Sequence, residues 1–103
     1  MKYSLILIIS LFTGVTNASD INCQGKVTYV MDYPNQCNGN MSFKTTGSKG
    51  IWVCPPSDKG NSLLLTAFAT GKEIGVYIND QGGTITCETL PQYVPARYIL
   101  INQ

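Results

Sequence analysis

One stretch near the middle of the chain constrains the fold more than any other feature. Residues 62–70 carry apolar side chains at helical spacing, Gly71 follows them, and residues 73–78 alternate between two faces. Glycine tolerates the left-handed conformation that commonly ends a helix, and alternation indicates a strand. The pattern therefore predicts one short helix that passes through Gly71 directly into a strand. A single helix between strands leaves a small β-domain few architectures.

Side chains on either side of Gly71 refine this prediction. Asp58 or Asn61 can cap the first turn of the helix. The helix is expected to present four apolar side chains to a core: Leu63, Leu64, Leu65 and Phe68. In the strand that follows, three side chains are expected on the core face: Ile74, Val76 and Ile78.

The first eighteen residues have the composition of a secretory signal peptide. Lys2 gives a positive start, residues 5–12 form an apolar run, and Thr16-Asn17-Ala18 offers a small-residue cleavage site. The apolar run is too short to remain as a stable membrane-spanning anchor. We therefore expect a signal peptide over residues 1–18, a secreted or periplasmic product, and one domain over residues 19–103. A retained anchor is the alternative.

Charge and cysteine content narrow the classes of partner. The chain has seven basic and six acidic residues, so loss of Lys2 with the signal peptide leaves a net charge of zero. Nucleic acids and anionic membranes attract basic surfaces, and we expect neither a nucleic-acid partner nor membrane insertion. The chain has no histidine, so we expect no metal site and no cofactor.

All four cysteines lie in the exported part of the chain: Cys23, Cys37, Cys54 and Cys87. An oxidising compartment favours their pairing, so two disulfides are expected. Cys37 and Cys54 can meet if the strands between them form a meander, which leaves Cys23 and Cys87 to each other. Four cysteines allow three pairings, and the sequence does not choose among them.

Alternating segments bounded by turn residues predict the strands. They cover residues 26–32, 41–45, 51–54, 73–78, 84–88 and 97–101. Val27, Tyr29 and Met31 are expected on one face of the first strand. Three strands, one helix and two or three strands predict a mainly β fold, a five-stranded Greek-key barrel of the OB type with the helix between strands three and four. A two-sheet sandwich is the alternative.

Four features in this order resemble the B subunits of bacterial AB5 toxins, in the subtilase cytotoxin and typhoid/pertussis-like group. They are Trp52 in strand three, the leucine-rich helix 63–69, the junction of Thr70, Gly71 and Lys72 with the following strand, and the apolar closing strand 98–101. The chain also looks like small exported bacterial proteins that share the junction and have no known toxin role. None of these features is catalytic.

The resemblance implies a pentamer that binds cell-surface glycans or glycoproteins and carries a separate toxin A subunit. In those relatives a serine before the first strand and an aromatic residue late in the fourth strand contact the sugar. Here Gln24 and Tyr77 fall at these positions, and glutamine departs from the pattern. The last strand is apolar on both faces, so one face is expected to meet a neighbouring protomer through Tyr98, Ile99, Leu100 and Ile101.

Residue chemistry favours binding over catalysis. Histidine is absent, the thiols are expected to be oxidised, and the acidic residues fall mostly at strand ends and turns. We therefore expect no enzyme, with an exported structural or protein-binding OB-fold module without glycan binding as the alternative function. Trp52 is either a ligand-stacking or interface residue, or a core residue beneath the helix.

Overall fold

A computed structural model describes residues 19–101 of the chain. Within that range the protein is mainly β, with a curled mixed sheet and one α-helix. The strands are β1 Asp20–Asn22, β2 Gly25–Met31, β3 Ser42–Thr45, β4 Val53–Cys54, β5 Glu73–Asn79, β6 Val94–Pro95 and β7 Tyr98–Ile101, and the helix is α1 Lys59–Thr70. The predicted signal peptide lies outside the described residues. The helix of the described part is too short to cross a membrane.

Strand pairing gives the sheet its curl. Strand β5 pairs along one edge with β1 and then β2, and along its other edge with β7, all antiparallel. From β2 the sheet continues through β3 to β4, and β4 pairs in parallel with β6. Only two residues separate β6 from β7. One short segment of chain therefore pairs with β4 through β6 and with β5 through β7.

The core lies between the concave side of this sheet and α1. Ile74, Val76 and Ile78 are buried there, as their alternation predicts. Strand β7 adds Ile99, while Ile101 packs against the edge of the same core. This arrangement leaves the odd-numbered positions of β5 on the outer face of the sheet.

The helix begins and ends near the predicted residues but turns a different face to the core. Gly71 ends it in the left-handed conformation, with φ of 71°, as predicted. Leu64 is fully buried and Leu63 packs beside the core. The prediction was wrong for Leu65 and Phe68, whose side chains are 46% and 50% exposed.

Gly60 explains why the helix packs against the core in this orientation. A Cβ atom at Gly60 would lie 2.7 Å from Cβ of Pro55, so the first turn packs directly against that proline. Burial of Gly60, Leu64 and Ala67 then follows at helical spacing. Neither predicted N-cap operates, since Asp58 makes no capping hydrogen bond and the Asn61 side chain instead accepts from the backbone of Met41.

A β-bulge changes the predicted facing of the first long strand. Val27 pairs with Thr45 and Tyr29 pairs with Lys44, so β2 advances two residues while β3 advances one. An extra residue of this kind sends the following side chains to the opposite face. Val27 remains in the core, whereas Tyr29, expected beside it, is 60% exposed.

Residues 84–88, predicted as a strand, form turns instead. The backbone there is satisfied locally. Ile85 N–H donates to the Asp80 carbonyl, and the Thr86 N–H donates to the Thr89 hydroxyl at 2.9 Å. Side chains that bond their own backbone compete with sheet pairing, and the Gly82-Gly83 pair starts the turns with two positive φ angles.

Both expected disulfides are present. Cys37 is bonded to Cys54 and Cys23 to Cys87, with Cα atoms 5.1 and 5.6 Å apart. The chain-entropy model assigns about 3 kcal/mol to closing a loop of the shorter length and about 4 kcal/mol to the longer one. The first bridge fixes the turn before β3 to the end of β4. The second fixes the β1–β2 junction to the long segment after β5.

Candidate functional site

The structure brings Gln24 and Tyr77 together, although 52 residues lie between them in the sequence. Asn22 connects them. Its Nδ2 lies 3.3 Å from the Gln24 Oε1 and 3.3 Å from the Tyr77 hydroxyl, and it can donate to either. The Gln24 Nε2 in turn donates to the Glu73 Oε1 at 2.7 Å. These four side chains form one hydrogen-bonded group at the outer face of β1 and β5.

Backbone pairing fixes the orientation of Asn22 at the centre of this group. Asn22 lies opposite Tyr77 in the β1–β5 register, and its Oδ1 accepts from the Val76 N–H at 3.0 Å. That bond leaves the amide nitrogen as the outward donor. Between Asn22 and Gln24, Cys23 is buried and bonded to Cys87, so the two amides flank an anchored position.

A pair of tyrosines continues the surface onto β7. The rings of Tyr77 and Tyr98 stack with centroids 4.5 Å apart and an angle of 14° between planes. Tyr98 is 44% exposed. A Cβ atom at Gly75 would lie 3.0 Å from Cε1 of Tyr77, so the ring leans along β5 over a position that has no side chain.

We call this set the amide–tyrosine surface: Asn22, Gln24, Glu73, Tyr77 and Tyr98. It offers two amides with donors and acceptors, one carboxylate acceptor and two aromatic rings. Asn22 and Glu73 were not predicted as site residues, and Tyr98 was predicted only as an interface residue. Strand alternation could have found the first two, because Asn22 and Glu73 share the facing of Gln24 and Tyr77 at a period of two.

A charged pair borders the surface. The Arg97 guanidinium lies 3.5 Å from the Asp20 carboxylate, and the arginine side chain is more than half exposed. Within the described residues that carboxylate oxygen has no hydrogen bond. An exposed pair at this separation contributes little to stability.

A second aromatic group lies on the outer face of β2 and β3. The rings of Tyr29 and Trp52 meet edge to face with centroids 6.3 Å apart. The Lys44 Nζ lies 4.6 Å from the centroid of Trp52 and 5.3 Å from that of Tyr29, within cation–π range. Trp52 is half-buried here and is not a core residue beneath the helix. The bulge in β2, which alternation does not reveal, supplies Tyr29.

The residues predicted as an oligomer interface divide between two faces. Ile99 and Ile101 pack on the protein's own core, while Tyr98 belongs to the amide–tyrosine surface and Leu100 lies beside Gly75. The outer face of β7 therefore carries Tyr98 and Leu100 alone. Their contact with a neighbouring protomer stays a prediction.

Within residues 19–101 no three side chains of the metal-binding types come together as an ion site. Comparisons with protein-family models, with curated proteins and with solved structures found no match. The geometry of the two outer surfaces is therefore the basis for assigning a function.

Proposed function

We propose that this protein is an exported, non-enzymatic carbohydrate-binding module. The observation that carries the proposal is the amide–tyrosine surface, where Gln24 and Tyr77 join through Asn22. Sugar hydroxyls need partners that both donate and accept, which amides provide. The apolar C–H face of a sugar ring needs a flat aromatic surface, and the stacked Tyr77 and Tyr98 rings offer one.

Two disulfides indicate an oxidising, non-cytosolic compartment, which supports the export part of the proposal. We further propose an OB-type barrel of five strands. Its first strand would combine β1 with β2 and its last would combine β6 with β7, leaving α1 between the third and fourth. The observed pairing order is compatible with that reading.

A B-subunit-like pentamer follows from the proposed fold and the sequence resemblance, with a separate toxin A subunit as its cargo. Such an assembly would compensate for weak single sites. An exposed sugar site gains little from each contact after ordering costs, and several copies binding one cell surface raise the effective affinity by orders of magnitude.

A glycan array with the mature, oxidised protein tests the carbohydrate role. We expect binding by the wild type and at least about a tenfold loss for Tyr77→Ala, because stacking and hydroxyl contacts are lost together. Tyr33→Ala is the matched control, since Tyr33 is also exposed and takes no part in the surface. Absence of wild-type binding to every glycan would remove the proposal, as would equal binding by Tyr77→Ala.

One observation favours a protein-binding module as the second candidate. Leu65 and Phe68 lie three positions apart on α1 and are both about half exposed, and exposed apolar pairs on a helix suit a protein partner. Light scattering tests whether this helix face mediates self-assembly. A pentamer whose mass falls when Phe68→Ser is introduced assigns this face to self-assembly, whereas a wild-type monomer at micromolar concentration removes the ring.

A further inference from the structure

A cavity of about 360 Å³ lies on the side of the Cys37–Cys54 bridge, and it shares no residue with the amide–tyrosine surface. One wall comes from the turn before β3, and the other from residues 93–96 around β6. Pro55 and Pro56, which follow β4 and precede the helix, also line the cavity. The volume falls within the range of small-molecule sites in proteins.

Both walls are held in place by a disulfide or by hydrogen bonds to neighbouring segments. The first is fixed by the disulfide and by Asn61, whose side chain accepts from the Met41 N–H at 3.0 Å. The second is fixed beside β4, since the Tyr93 N–H donates to the Trp52 carbonyl at 2.7 Å and the Ala96 N–H donates to the Cys54 carbonyl at 2.9 Å. Ligand binding in this space would therefore lose little conformational entropy in the protein.

The backbone of the cavity is unusual as well. Five non-glycine residues of the described chain have positive φ, and three of these line the cavity: Cys37, Asn38 and Tyr93. Side chains rarely adopt this conformation, and such residues concentrate where a structure clamps a ligand. Here the Cys37–Cys54 bridge holds the first of them, and the hydrogen bond to the Trp52 carbonyl holds Tyr93.

The lining is uncharged and has hydrogen-bonding capacity to spare. None of its side chains carries a charge at neutral pH. Asn38, Asn40 and Tyr93 supply the amide and hydroxyl groups, and within residues 19–101 none of these side chains has a hydrogen-bond partner. Proline and tyrosine rings supply apolar surface. A charged ligand would lose hydration without meeting an opposite charge, whereas a neutral one would not.

We propose that this cavity is a binding site for an uncharged, hydroxyl-bearing molecule the size of one or two sugar rings. The assignment is independent of the glycan role of the amide–tyrosine surface. Hydroxyl groups of the ligand bond the Asn38 and Asn40 amides and the Tyr93 hydroxyl, and its carbon face packs on the proline rings.

The test is a chemical-shift titration of the ¹⁵N-labelled mature protein with methyl β-galactoside, methyl β-glucoside and N-acetylglucosamine. Glucuronate and glucosamine serve as charged probes of similar size. We expect saturable shifts at residues 37–40 and 93–96 with at least one neutral sugar, at dissociation constants on the order of 1–10 mM. The charged probes should bind at least about threefold more weakly.

Variants complete the test. Asn40→Ala should weaken binding about threefold to tenfold, and Asn38→Gly should act similarly while preserving the positive φ. Asn35→Ala, in the same turn but outside the lining, should bind as the wild type does. Shifts that appear only at the amide–tyrosine surface, the absence of saturable shifts with all three neutral sugars, or unchanged affinity in Asn40→Ala would each overturn the proposal.

Discussion

Asp80 shows how a single carboxylate closes the described domain. Its Oδ1 accepts from the Ser19 N–H at 3.0 Å and its Oδ2 from the Ser19 hydroxyl at 3.1 Å, while its own N–H donates to the Ser19 carbonyl. The backbone bond from Ser19 is the main cause that lowers the pKa of Asp80 below its ordinary 3.8, against an opposing effect of burial. Bonds from the Ser19 hydroxyl and from Gly83 and Gly82 lower it further.

The lowered pKa of Asp80 predicts a pH dependence of stability. A depressed folded-state pKa contributes stability that is present above the unfolded-state value and is lost as pH falls through the folded-state value. Asp80→Asn should therefore unfold at lower denaturant than the wild type at pH 7, and the difference should shrink below about pH 3.8. Urea titrations across pH measure it, with exposed Asp32→Asn as the control. A constant difference from pH 7 to pH 2 would contradict the account.

Cleavage after Ala18, as the sequence predicts, gives this contact a further role. The Ser19 nitrogen would then become an α-ammonium group 3.0 Å from the Asp80 carboxylate. A charge-assisted bond is stronger than a neutral one. The mature chain should accordingly depend on Asp80 more than a chain with an extra residue before Ser19 does.

For single helices and strands, the local sequence pattern predicted the structure correctly where no contact with another element changed it. Residues 73–78 alternate without interruption, and the core face of β5 follows from that pattern. The end of the helix was also predicted, because Gly71 readily adopts the left-handed conformation found there. Leu65 and Phe68 were misplaced because the helix is oriented by the contact of Gly60 with Pro55, which the helical pattern alone does not contain.

The sequence could predict only part of the amide–tyrosine surface. Gln24 was predicted from the resemblance to the toxin subunits, and its link to Tyr77 through Asn22 depends on the pairing of β1 with β5 across the sheet. Period-two facing is readable from sequence, but the pairing partner is not. Tyr29 was assigned to the wrong face because a bulge leaves no mark in alternation.

Gly60→Ala tests the seating of the helix. Alanine is favoured over glycine in a helix interior by about 1 kcal/mol, yet the added Cβ would lie 2.7 Å from that of Pro55. We expect net destabilisation of about 1–3 kcal/mol, the usual range for overpacking. Ser62→Ala, on the exposed side of α1, is the control and should be neutral or slightly stabilising. Thermal unfolding of both variants decides, and a more stable Gly60→Ala protein would show that the contact does not orient the helix.

At the scale of the whole molecule, the two disulfides support the two candidate sites separately. Cys23–Cys87 holds the position between Asn22 and Gln24, and Cys37–Cys54 forms part of the cavity wall. A domain of this size buries a limited core. The bridges supply stability that the core alone does not, so the domain can keep amides and aromatic rings exposed. We therefore expect reduction of the disulfides to weaken both the fold and the proposed binding.

Binding of a glycan through the amide–tyrosine surface can be measured by a chemical-shift titration of the ¹⁵N-labelled mature protein with the oligosaccharide that binds best on the array. We expect saturable shifts concentrated at the amide–tyrosine surface: Asn22, Gln24, Glu73, Tyr77 and Tyr98. The signals of Lys44 and Trp52 should not change. Saturable shifts confined to Tyr29, Lys44 and Trp52, or no shift at Tyr77 and its neighbours, would contradict the proposal.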